Sequence, residues 1–184
     1  MTFGFQSAVD IATNVIDCIH STASSHGRVF IVEVMGHKVG WLTLYAGISG
    51  GADVILIPEI PYDVDKVCDV LKARKKNGKP FSILAVAEGA LSKEEAKLSK
   101  KEFKAARASM KEPSISYRLA NEIAERTGQE IRVTLPGHFQ RGGSPCAYDR
   151  MLTTRFGTAA ADLIANNSLV TWLHCATTRL FQYH

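Results

Sequence analysis

Residues Leu135 to Arg150 read LPGHFQRGGSPCAYDR. His138 and Arg141 stand three positions apart among Gly137, Gly142, Gly143 and Pro145. Glycines allow a tight backbone that presents N–H groups, which suits the close approach of an anion. A guanidinium matches phosphate oxygens two at a time, and an imidazole can donate to a phosphate or a sugar hydroxyl. The same letters also suit an ordinary glycine-rich turn with two solvated side chains. What lies on either side narrows the choice. A β-branched run, Glu130–Thr134, precedes the stretch, and a helical pattern from about Asp149 to Ala165 follows it. The stretch is therefore a loop between a strand and a helix.

The same alternation runs through the chain. Val9, Ala12, Ile16 and Ile19 recur at helical spacing, predicting an amphipathic helix from roughly Phe5 to Ala23. Strand Arg28–Val34, a short helix around Trp41–Gly47 and strand Val54–Ile57 follow. Asp63 is placed to cap a helix carrying Val64, Val67, Val70 and Leu71 that ends at Asn77-Gly78. Strand Phe81–Ala87 comes next, and Ser92 with Glu95 forms a capping-box pattern for a helix through about Ser109. A further helix spans Ser114 to Arg126. Strands alternating with helices predict an α/β fold, a mainly parallel sheet sandwiched by helices, with ligands outside the carboxyl ends of the strands. Met35-Gly36-His37, Glu88-Gly89 and Leu135–Arg141 each follow a strand, so three loops are expected at one edge of the sheet.

Composition limits the partners. The 184 residues suffice for one domain with a real core, and 46% hydrophobic content excludes a disordered chain. A formal charge of +4 fits an anionic small molecule and is too weak to argue for nucleic acid. The basic segment SKEEAKLSKKEFKAARASMKE (Ser92–Glu112) reads as a solvated face, with Ala96, Phe103 and Ala106 as sparse apolar positions. Cys18, Cys68, Cys146 and Cys175 show no paired C-x-x-C spacing and read as reduced thiols of a cytoplasmic protein. No apolar run is long enough for a membrane span, and MTFGFQSAVD is not a signal peptide. No metal site is expected in the chain itself.

Donors and acceptors then suggest a ligand. Arg132, His138 and Arg141 supply groups for a phosphate, and Glu88 supplies an acceptor that a sugar hydroxyl needs. The backbone N–H groups around Met35 and Gly36 are expected to take further sugar oxygens. Locally, Glu88 also reads as a surface residue beside a turn glycine, Met35 as plain core, and Arg132 as a surface partner of Glu130 or Glu112.

Four blocks in one order resemble the sugar-phosphate-binding half of the 6-phosphofructokinases. They are RVFIVEVMGHKVGW (Arg28–Trp41), GGADVILIPEIPYD (Gly50–Asp63), ILAVAEGA (Ile83–Ala90) and IRVTLPGHFQRGGSPCAYDR (Ile131–Arg150). The resemblance spans roughly Phe3 to Ile164. It implies that Met35, Gly36, Glu88, His138 and Arg141 contact fructose 6-phosphate. It also implies that Arg28 and Arg132 reach the sugar phosphate of a neighbouring subunit in a homo-oligomer. ATP and Mg2+ would be used by the complete enzyme of glycolysis and held mainly by another half. The motifs that cradle the donor in the family, G-G-D-x-x-G and T-I-D-x-D, do not occur here. Met1 is therefore expected to be a truncated start and the chain alone to be inactive. A pyrophosphate-dependent relative and a stand-alone sugar-phosphate-binding module remain alternatives.

Three departures and matches refine the expectation. Where the family has an arginine after Met-Gly, this chain has His37 among the substrate-binding positions, a weaker clamp for developing charge, so either Lys38 compensates or phosphoryl stabilisation lies elsewhere. Gly51, Asp53 and Lys79 match positions of the family's effector site, whose other basic residues are missing, so effector binding is not expected. Residues 1–167 are expected to form the sugar-phosphate domain. SLVTWLHCATTRLFQYH (Ser168–His184) departs from the family's apolar strand of the type F-G-Y-M-V-A-L. Codons can be chosen so that a frame beginning one nucleotide earlier spells the family's continuation. The tail is therefore expected to be frameshifted and to be disordered or ordered only by neighbours, with a divergent native terminus as the alternative.

Overall fold

The computed structural model describes residues 2–168, 172–176 and 179–183. Its element order is α1 (Phe5–His26), β1 (Val29–Val34), α2 (Trp41–Ser49), β2 (Val54–Leu56), α3 (Val64–Lys76) and β3 (Ser82–Ala87). Then follow α4 (Lys100–Ala108), α5 (Ile115–Thr127), β4 (Ile131–Thr134), α6 (Ala147–Ala165), β5 (Trp172–Ala176) and β6 (Arg179–Tyr183). The chain divides into two compact units, residues 9–140 and residues 1–8 with 141–184.

The larger unit holds a four-stranded sheet in the order β2-β3-β1-β4, every pairing parallel. Strands buried on both faces read as continuous apolar runs, which is why VFIVEV and SILAVA lack polar alternation. Successive side chains go to opposite sides of the sheet. Val29, Ile31, Leu84 and Val86 pack with Val67 and Leu71 of α3 and with Leu119 and Ile123 of α5. Phe30, Val32, Val34, Ile83 and Ala85 pack on the other face with Ala12 and Ile16 of α1 and Ala46 of α2. The predicted α/β sandwich is the observed fold.

Asp63 caps α3 as expected, its carboxylate accepting the N–H groups of Asp65 and Lys66. The segment after β3 departs from expectation. Ser92 and Glu95 do exchange reciprocal hydrogen bonds, Ser92 N–H to Oε2 at 3.0 Å and Glu95 N–H to Oγ at 3.2 Å. They open only a 3-10 turn, Glu95–Lys97, which ends at an extended Leu98. A second capping box, Ser99 with Glu102, starts α4. The reason is Glu95 itself: it is buried and ion-paired with Arg107 at 3.0 Å and Arg118 at 2.9 Å. Ala96 and Ala106, expected as the apolar positions, are exposed.

In the smaller unit, Asp149 accepts from Gly4 N–H at 3.0 Å, Ser7 N–H at 2.9 Å and the Ser7 hydroxyl at 2.6 Å. One buried carboxylate thus serves the start of α1 from within the first turn of α6. Two strands lie beyond Asn167. Strands β5 and β6 pair antiparallel as a sheet of their own, from Trp172↔Tyr183 to Ala176↔Arg179. Aromatic residues, here Trp172, Phe181 and Tyr183, favour strand pairing. The rest of the tail lies outside the described residues.

Candidate functional site

Strands β3, β1 and β4 are neighbours, so the loops that leave their carboxyl ends are neighbours as well. Met35 directly follows β1, Glu88 directly follows β3, and the 3-10 turn Gly137–Arg141 lies just beyond β4. The β1–β3 register ends at Val34↔Ala87, and Glu88 N–H continues the ladder to Val34 O at 3.0 Å.

The first two loops are joined through Glu88. Its Oε1 accepts from Gly36 N–H at 3.1 Å and from His37 N–H. His37 takes a left-handed backbone, φ 56°. The approach is so close that a Cβ on Gly89 would sit 2.1 Å from His37 O. The third loop is joined by Gln140, whose Oε1 accepts Met35 N–H at 3.0 Å. Gln140 is buried, and its Nε2 has no partner among the described residues. These N–H groups, expected to serve sugar oxygens, are therefore engaged by Glu88 and Gln140. Neither tie is readable from spacing, because 52 and 105 residues separate the partners. Gln140 stands between the two polar residues singled out in the motif, and only the fold turns it inward.

Two further residues were not singled out. Glu59 grips Gly40 N–H with both oxygens, at 2.8 and 3.1 Å, and holds the far end of the His37 loop. Arg107 reaches from α4 to Ala90 O at 2.6 Å. A cavity of about 470 Å³ opens among His37, Lys38, Glu59, Glu88, Phe103 and Arg107. His138 and Arg141 are both exposed.

Arg28 and Arg132 are elsewhere. Arg28 precedes β1, and Arg132 pairs with Phe30 in the β1–β4 register, so both belong to the amino-terminal half of the sheet. Both guanidinium groups bind one carboxylate, Glu130, with Arg28 Nε at 2.7 Å. Arg28 first, then Arg132, holds that carboxyl below the usual range. The six-residue β1 spans on the order of 20 Å between this pair and the Glu88 loop. Asp53, expected from the resemblance to match an effector-site position, accepts Ile83 N–H at 2.9 Å and pairs with Arg74 at 2.7 Å. Its carboxylate is thus occupied by structural partners. Among the described residues no group of three or more His, Cys, Asp or Glu is arranged to hold a metal ion. Nor is any described helix long and apolar enough to cross a membrane.

Residues 1–164 match the Phosphofructokinase (PFK) family. The chain belongs to that family. Over 164 residues it is 59% identical to an ATP-dependent 6-phosphofructokinase of Spirochaeta thermophila, covering 89% of this chain and 45% of the relative. It is 49% identical over 166 residues to ATP-dependent 6-phosphofructokinase 3 of Bacteroides thetaiotaomicron, covering 90% and 44%. The chain thus spans under half the length of the curated relatives it matches. The phosphofructokinase structure from Saccharomyces cerevisiae superposes with a TM-score of 0.80 at 33% identity, covering all of this chain and 23% of that one. A pyrophosphate-dependent phosphofructokinase structure from Nitrosospira multiformis superposes at 0.68 with 21% identity, covering 96% and 44%, and shares the fold.

Proposed function

We propose that this chain is the sugar-phosphate-binding part of an ATP-dependent 6-phosphofructokinase, holding fructose 6-phosphate as the phosphoryl acceptor. The observation that supports it is the meeting of Met35, Gly36 and Glu88 at the carboxyl ends of adjacent parallel strands, within a phosphofructokinase-family chain. Both loop N–H groups bind Glu88 Oε1, so Oε2 is the atom for a sugar hydroxyl. His138 and Arg141 are the phosphate ligands, as exposed donors on the motif turn. Arg28 and Arg132 are too far along β1 to share that ligand within one protomer, which supports their serving a neighbour's site in a homo-oligomer. There the neighbour's phosphate would replace Glu130 as their partner.

ATP, Mg2+ and the base for the attacking hydroxyl belong in this reading to the remainder of the relatives' length. Glu59 and Glu88 already bind backbone N–H groups, and no described acidic cluster is placed for a cation. The relatives' names favour ATP over pyrophosphate as the donor. The setting is the cytoplasm, with glycolysis as the pathway. The frameshifted origin of the tail belongs to this proposal as well, and the genomic reading frame after Asn167 tests it.

The 184-residue chain alone should show no magnesium-dependent phosphorylation of fructose 6-phosphate with ATP or pyrophosphate. In a full-length protein containing it, Arg141→Ala should weaken fructose 6-phosphate binding by about 1.5–3 kcal/mol, the scale of a charge-assisted hydrogen bond. The Michaelis constant for ATP should stay unchanged. Turnover by the short chain, or equal losses for both substrates, would overturn the assignment.

A further inference from the structure

Helix α4 belongs to the basic segment that reads as a solvated face, and seven of its nine residues are indeed exposed. The two exceptions are Phe103 and Arg107, one helical turn apart on one side. Both line the cavity that contains Glu88 and His37. The Arg107 guanidinium lies 5.2 Å from the centre of the Phe103 ring. Its Nη2 donates to Ala90 O at 2.6 Å, two residues beyond Glu88, and its Nε pairs with buried Glu95 at 3.0 Å. Glu95 is held in turn by Arg118 at 2.9 Å.

Resting on the sugar-phosphate reading of this cavity, we infer that α4 is its outer wall. Phe103 is a specificity-determining platform for the carbon face of the sugar, and Arg107 is a positioning residue for Glu88. The chemistry divides cleanly across the cavity. Glu88 Oε2 provides the acceptor, since Oε1 holds the Gly36 and His37 N–H groups. Phe103 provides the apolar surface that a furanose ring needs for its C–H groups and that a bare phosphate cannot use. Arg107 bonds the backbone carbonyl behind Glu88, so it fixes where the carboxylate stands. A strut of this kind acts on a ligand without touching it.

The test is calorimetric titration of the 184-residue chain with fructose 6-phosphate and with inorganic phosphate, together with amide NMR spectra. Phe103→Ala should lose on the order of tenfold in affinity for fructose 6-phosphate and keep its affinity for phosphate. Phe103→Leu, which keeps an apolar surface, should recover most of the loss. Arg107→Lys keeps the charge and loses the fork; it should weaken fructose 6-phosphate binding several-fold and shift the Gly36 and His37 amide signals. Equal losses for both ligands in Phe103→Ala would mark Phe103 as a packing residue and overturn the platform. Unchanged affinities with unmoved Gly36 and His37 signals would overturn the wall while leaving the sugar-phosphate reading standing. If the unaltered chain binds no fructose 6-phosphate, that reading falls and the wall falls with it.

Discussion

At the scale of single residues, Glu88 and Gly89 show how two loops become one site. A carboxylate reaches the N–H groups of Gly36 and His37 only because the next residue carries no side chain. Gly89→Ala would press a methyl group into His37 O, so the loops must part. The expected cost is about 1–3 kcal/mol, the range for an overpacked contact, read as a lowered urea midpoint. The Gly36 and His37 amide signals should move as well. A variant of unchanged stability and spectrum would mean that the loops sit farther apart than described. His37 belongs to the same contact, as the residue whose O faces Gly89. Its left-handed backbone is held by Glu88, so a longer cation there would begin from the same tethered loop.

At the scale of elements, the Ser92–Glu112 segment is where sequence patterning and packing disagree. Two capping boxes occur seven residues apart, and each opens its own short helix. Ser99→Ala should cost about 1 kcal/mol, the usual loss for a helix N-cap. Glu95→Ala should cost more, about 3–5 kcal/mol, because Arg107 and Arg118 would keep their charges without their buried partner. Thermal unfolding of the two variants side by side ranks them. The opposite order would mean that the capping boxes, not the ion pairs, hold this segment.

At the scale of the whole molecule, acid sensitivity should be traceable to Asp149 in the smaller unit. Burial raises its pKa, but hydrogen bonds from the Ser7 hydroxyl, the Ser7 and Gly4 N–H groups and Cys146 outweigh that, and the carboxyl titrates below its ordinary 3.8. A folded-state value below the unfolded one contributes stability at pH above the unfolded value. That contribution is lost as pH falls through the folded value. Asp149→Asn should therefore be less stable than the unaltered chain at pH 7, and the gap should narrow toward pH 3. A gap independent of pH would show that the Asp149 charge contributes nothing. Trimming after Asn167 is the second test at this scale. If the tail was never selected to pack, the melting temperature should not fall, and a marked fall would mean that β5 and β6 support the domain.

The sequence by itself determined the succession of strands and helices, because apolar periodicity and caps such as Asp63 are local. Asp63 accepts from residues two and three positions on, and VFIVEV announces a strand covered on both faces. It also determined which loops lie at the carboxyl edge, since parallel strands joined by helices leave little freedom there. Only the tertiary structure decided the partners across that edge. Glu88 with His37, Gln140 with Met35 and Arg107 with Ala90 are separated by 51, 105 and 17 residues, and no period links them. The same holds for Glu95, whose charged letter predicts solvent and whose two arginine partners draw it inside. Hydrophobic pattern dictates what turns inward on one element; a polar contact between elements depends on where the rest of the chain has already been placed.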